Sequence, residues 1–153
     1  MWVTRRELCS LLPAIFAPVV LSRAGVLAER GGDENDALPS AMFPFEKLVA
    51  RKSGPTEIRS VLKGKLVTGE GLEVHETTLM VGATPHAPHR HAHSEMWLIR
   101  EGTVELTVEG KSTKMGPGSV GFVRSNEEHG IKNVGAVPAT YFVVAIGPGA
   151  AGA

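Results

Sequence analysis

Seven consecutive residues, Thr103-Val104-Glu105-Leu106-Thr107-Val108-Glu109, alternate strictly between polar and apolar. In a strand, that period puts every apolar side chain on one face and every polar one on the other. A helix cannot sort such a pattern, so this stretch commits its surroundings to a sheet with one buried face. The flanking sequence continues in kind. Leu72–Val81 reads as a strand ending at Gly82, and Glu95–Arg100 as another closed by Glu101-Gly102. Gly110-Lys111 suits a hairpin turn into Ser112–Met115. Gly116-Pro117-Gly118 makes the next turn, before the apolar strand Val120–Val123. His129–Val134 and Thr140–Ile146 complete the set. Short strands with turn signals every roughly 8–12 residues predict an all-β sandwich or barrel. One short helix is expected near Phe45–Ala50.

The two ends read differently. Thr4-Arg5-Arg6 is a basic start, Leu8–Leu21 is mostly apolar, and Val26-Leu27-Ala28 fits a small-x-small cleavage site. Residues 1–28 thus have the layout of a bacterial export signal. The apolar run is interrupted by Pro13 and Pro18 and falls short of the roughly 20 residues of a membrane span. Arg5-Arg6 resembles a twin-arginine signal; the alternative is an ordinary secretory start. The expectation is export to the periplasm or the exterior, with no stable membrane anchor once the signal is removed. Cys9, the single cysteine, would leave with the signal, and with it any disulfide or thiolate ligand. Residues 29–41, acidic and rich in Gly, read as a disordered linker, and 147–153 as a flexible tail. That leaves one domain over 42–146.

Charge narrows the partners. The chain carries 16 basic and 16 acidic residues. Removing Arg5, Arg6, Arg23 and Glu7 leaves 13 and 15, a net of −2. Nothing in that balance calls for nucleic acid or an anionic membrane. The glycines are explained by turns rather than by a phosphate loop, and no serine sits in a nucleophile elbow.

The chemistry concentrates in His89-Arg90-His91-Ala92-His93-Ser94-Glu95, with His129 further on. Residues i and i+2 of a strand share a face, so His89 and His91 point together and Arg90 points away. A tight turn over Ala92-His93-Ser94 would swing Glu95 back beside them. His129 opens a later strand that a curled sheet can bring opposite. Three neutral imidazoles and a carboxylate suit a first-row divalent metal, Mn, Fe, Ni, Cu or Zn. His93 belongs to the turn at the mouth, as a solvated neighbour of the ligands or a proton carrier. Trp97 shares the parity of Glu95 and can line a pocket or the core. Asn133, on the face of His129 and Ile131, is a further pocket candidate. Tyr141, the only tyrosine, can pack or donate a hydrogen bond. His86, on a loop between Pro85 and Pro88, reads as exposed, and His75 as structural.

These spacings resemble the two motifs of the cupin superfamily. In the first, G-x5-H-x-H-x3-4-E-x6-G, His89, His91, Glu95 and Gly102 match, while Gly82 lies one residue too early. In the second, G-x5-P-x-G-x2-H-x3-N, Gly118, His129 and Asn133 match. Arg124 replaces the usual proline and Asn126 the second glycine. Asn tolerates the left-handed conformation such a glycine supplies. The resemblance implies a small single-domain cupin, a double-stranded β-helix or jelly-roll barrel. It also implies a metal held inside by His89, His91, Glu95 and His129.

Three function classes follow. The first is a metal-dependent enzyme acting on a small molecule, by oxygenase, decarboxylase, isomerase or hydrolase chemistry, with catalytic residues unassigned. The second is a non-catalytic module that holds a sugar or small anion at the same metal. The third, a closed structural site, fits least because such sites favour cysteine. An unliganded acid or base in an apolar pocket would separate the first from the second. A homodimer is expected, with Leu72–Val81 as the candidate contact.

Overall fold

The computed structural model describes residues 36–152. The signal expected over 1–28, and the linker as far as residue 35, lie outside the described residues. A 3-10 turn at Phe45–Lys47 is followed by nine strands. They are β1 (Ala50–Ser53), β2 (Thr56–Lys65), β3 (Gly71–Leu79), β4 (Ser94–Glu101), β5 (Val104–Val108), β6 (Lys111–Met115), β7 (Val120–Val123), β8 (His129–Asn133) and β9 (Ala139–Ile146). All pairings between them are antiparallel. One sheet runs β1-β2-β3-β9-β4-β7 and the other β6-β5-β8. The fold is therefore all-β, two sheets closed on one apolar core as a jelly-roll barrel.

The alternating stretch behaves as its period requires. Val104 and Leu106 point into the core, while Glu105 and Thr107 face outward on the same strand. Its hairpin turn falls one residue earlier than expected. Val108 pairs with Lys111, so Glu109-Gly110 turns the chain and Lys111 already belongs to β6. Both turn residues have positive φ, 45° and 75°, as a two-residue turn matched to strand twist demands. Glu109 tolerates this because its N–H donates to the Glu128 carbonyl and its carboxylate accepts from the Glu128 N–H. Gly102 has φ 76°, and a Cβ there would lie 2.7 Å from the Ala139 Cα. Both conformation and space require glycine where β4 ends.

Several expectations are corrected. β1 and β2 were not anticipated. Glu57, Arg59, Lys63 and Lys65 hide the apolar period of β2, and a bulge between Ser60 and Leu62 shifts its phase. The expected helix near Phe45–Ala50 shortens to the three-residue turn, and Ala50 already starts β1. The turn buries none of its residues, so no apolar face exists to hold a helix together. Phe45 instead meets the guanidiniums of Arg59 and Arg100, each 5.1 Å from its ring centroid. Near the end of the linker segment, Ala37 bridges to Lys65 and the Leu38 N–H donates to the Lys65 carbonyl. The tail expected to fray folds back: the Gly147 N–H donates to the Gly71 carbonyl, and Ala150 is 2% exposed. Leu72–Val81 is not a sheet edge, because β3 lies between β2 and β9.

Inward-facing positions bring the titratable side chains toward one end of the barrel, with His75 level with Trp97 across β9. From one end, β3 presents His75, Thr77 and Leu79, β4 presents Glu95, Trp97 and Ile99, and β8 presents His129, Ile131 and Asn133. The outer face of β4 and β7 leaves Met96, Leu98, Val120 and Phe122 substantially exposed. Among the described residues no helix is long and apolar enough to cross a membrane.

Candidate metal centre

Two backbone hydrogen bonds join the segment before β4 to the start of β8. The His89 N–H donates to the His129 carbonyl and the reverse bond closes the pair, both at 3.0 Å. The Asn126 N–H then donates to the His91 carbonyl at 2.8 Å. Asn126 has φ 64°, the left-handed conformation expected of the residue in the glycine position. Arg90 points outward, as the period requires. Its guanidinium donates to Glu109 Oε1 at 2.6 Å and to the Asn126 carbonyl at 2.8 Å. The outward side chain between the two histidines thus fastens their segment to the β5–β6 turn and to the loop before β8.

His89, His91 and His129 converge, their ligand nitrogens within 4.8 Å of one another. Glu95 joins them: Oε1 lies 3.4 Å from His91 Nε2, and Oε2 lies 3.4 Å from His129 Nε2. The protonation of two rings follows from their partners. His91 Nδ1 meets the His93 carbonyl and His129 Nδ1 the Glu127 carbonyl, each at 2.9 Å. A carbonyl only accepts, so each Nδ1 carries the proton and each Nε2 keeps a lone pair. Those two Nε2 atoms, and Nδ1 of His89, are buried with no hydrogen-bond partner. An unsatisfied buried polar atom costs about 1–3 kcal/mol. Three aimed at one point are what a divalent ion would relieve, and the donor set fits one. Burial, then the neighbouring His86, His129 and His91 rings, lowers the pKa of His89 and favours the neutral form a ligand needs.

His93 lies on the bend before β4, as expected. Its ring stacks on His91 at 3.6 Å between centroids, and its Nε2 stands 3.5 Å from Glu95 Oε1. His91, His93 and Glu95 therefore form a second, overlapping group of ligand atoms. His86 is exposed, yet its ring meets His89 edge-on at 4.2 Å. Asn133 is not a pocket residue. It is fully buried, its Nδ2 donates to the Leu79 and Val137 carbonyls, and its Oδ1 accepts from the Gly135 N–H. It clamps the far end of the barrel. Arg124 turns away to bind Glu127 at 2.7 Å and is largely exposed.

A cavity of about 240 Å³ opens beside Glu95 and His129. Trp97 and Tyr141 line it, as do Ile58, Thr77, Ile131 and Val143. So does His75, whose expected role was structural. Burial lowers the His75 pKa against the opposing pull of Glu73, whose Oε1 is 3.6 Å from its Nδ1. Burial first, and the Glu95 carboxylate second, raise that of the Tyr141 phenol. The only signal for His75 in the sequence was its inward parity, and the sequence did not show which face of its strand was inward.

Residues 75–145 match the model of the cupin domain family. The fold is that of a small cupin. An RmlC-like cupin from Shewanella frigidimarina superposes with TM-score 0.58 at 19% identity, over 71% of this chain and 92% of that one. A predicted oxalate decarboxylase from Thermotoga maritima gives 0.60 at 19%, over 70% and 99%. Among curated proteins, the L-ectoine synthase of Bordetella parapertussis is 34% identical over 62 residues, 40% of this chain. The match spans about half, 47%, of that relative's length.

Proposed function

We propose that this cupin is a metal-dependent enzyme acting on a small molecule in the cavity beside Glu95 and His129. The observation that carries the reading is the convergence of the His89, His91 and His129 rings, each with a buried nitrogen lacking a hydrogen-bond partner, with the Glu95 carboxylate beside two of them. His89, His91, Glu95 and His129 would hold the ion, which supplies Lewis acidity toward an oxygen of the substrate. The protein's own residues supply the rest. His75, kept neutral by burial, is a proton acceptor backed by Glu73. Tyr141, kept protonated, is a hydrogen-bond donor. Trp97 and the aliphatic wall exclude water. Two non-ligand groups able to move or hold a proton in an apolar pocket favour catalysis over simple binding. The partial likeness to L-ectoine synthase also supports small-molecule chemistry.

Metal analysis of protein purified from its native host tests the reading, followed by a substrate screen with the metal found. Less than a tenth of an ion per chain would overturn it. The proposal includes export, from the layout of residues 1–28. N-terminal sequencing of the host's secreted protein should begin near Glu29, and an intact Met1 in the cytoplasm would refute it. It also includes a homodimer, supported by the exposed apolar side chains on β4 and β7. Sedimentation as a monomer at high concentration would refute that.

A further inference from the structure

The cavity wall is selective in what it lacks. Among the described residues, no lysine or arginine lines it. The cations close to the site are engaged elsewhere: Arg90 with Glu109, Arg124 with Glu127, and Lys63 with Glu73. Glu95 itself brings a negative charge. A divalent ion on three neutral imidazoles and one carboxylate keeps a single net positive charge, enough for one anionic oxygen group. A phosphate dianion or a polycarboxylate would enter with charge uncompensated, in a site where burying it is costly. Polyols fare little better. Each buried hydroxyl needs a partner, and beyond the ligands the wall offers four side chains able to supply one, His75, Thr77, His86 and Tyr141, fewer than the hydroxyls of an open-chain hexose acid and set among apolar neighbours. Trp97 and Tyr141 add broad apolar aromatic surface.

We infer that the substrate is a compact, mostly apolar molecule carrying one oxygen-bearing group, a carboxylate, carbonyl or enolate. Phosphorylated metabolites, for want of a cation, and sugar acids, for want of enough hydroxyl partners, gain nothing over a simple carboxylate. The inference rests on the proposed metal site. The oxygen group meets the ion, and the apolar body lies between Trp97 and Ile58.

The test uses the full chain loaded with zinc, which is redox-silent, and isothermal titration with benzoate, acetate, gluconate and inorganic phosphate. Benzoate should bind about tenfold tighter than acetate, through burial of its ring. Gluconate and phosphate should bind no tighter than acetate. Ile58→Thr, at a half-buried position, should narrow the benzoate-to-acetate ratio. Ile58→Arg should raise phosphate affinity about tenfold by supplying the missing cation. Equal affinities for benzoate and acetate would overturn the inference. So would gluconate or phosphate matching benzoate, or no gain of phosphate binding in Ile58→Arg. Zinc content, measured first, separates the two readings. A chain that takes up no zinc overturns the metal site and this inference together. One zinc per chain with the wrong ligand order overturns this inference alone.

Discussion

At one end of the barrel, Asn133 lies opposite Val104 and bonds to Leu79, Val137 and Gly135, and every polar atom of that amide side chain is paired. At the other end the same strands carry His75, Glu95 and His129, and buried ring nitrogens stand without partners. The core residues Trp97, Ile131 and Tyr141 lie between. The closed end locks strand order by satisfying its polar groups. The open end is held from outside, by Arg90, Glu109 and the left-handed Asn126, so that its inner atoms stay free for a ligand. Satisfied polar packing and the candidate metal site thus occupy opposite ends of a single set of strands.

The sharpest way to break this comparison is to delete from each end. His129→Ala should reduce bound metal from about one per chain to near zero, read by elemental analysis. His91→Ala should do the same. If His129→Ala stays loaded, the overlapping His91-His93-Glu95 group holds the ion, and if His91→Ala stays loaded, a set without His91 does. Asn133→Ala should do the reverse. It removes the amide donor from the Leu79 and Val137 carbonyls, while the Gly135 N–H keeps its bond to the Thr103 carbonyl, and should cost about 2–3 kcal/mol in denaturant unfolding while metal content persists. Loss of metal in that variant would show that the two ends are coupled.

Arg90→Ala tests the outer brace. Residues that orient metal ligands typically change affinity about 10- to 100-fold. Competition with a chelator should show a loss near the lower figure, since the Arg90 side chain is half exposed. His93→Ala should leave metal stoichiometry unchanged, although its ring stacks on a ligand.

The smallest expected effect is on pH. In the metal-free protein, burial lowers the His75 pKa below its ordinary value of about 6.5. The unfolded chain therefore takes up this proton first. The contribution is fully present above about pH 6.5 and is lost as pH falls through the lower folded value. Metal-free His75→Gln should show a flatter decline in melting temperature over that interval. An unchanged slope would mean that His75 is not buried in solution.

Much of this arrangement was legible beforehand, and unevenly so. Val104 and Leu106 declared their face through alternation, and Asn126 declared a left-handed turn by replacing glycine. His89 and His91 declared a shared direction by their spacing. β2 was missed because its charges and its bulge break the period that exposes a strand. Glu109 was passed over as a turn residue because only its partners in the Glu128 backbone make positive φ tolerable. Asn133 was expected near the pocket from its parity with His129, but two residues along a strand carry a side chain well away from the open end. His75 was set aside because nothing local distinguishes an inward histidine beside a cavity from one packed in the core.

By itself the sequence determined the all-β class, the strand directions around the histidines, and which side chains could bind a metal. Those are local consequences of backbone period and turn chemistry. Only the tertiary structure decided that three ring nitrogens would be left unpaired close together, that His75 and Tyr141 would line the space beside them, and that no lysine or arginine among the described residues would. A cavity is the volume that non-local packing leaves unfilled. Its lining depends on strand order, register and the opposite sheet, which no short stretch of chain encodes alone.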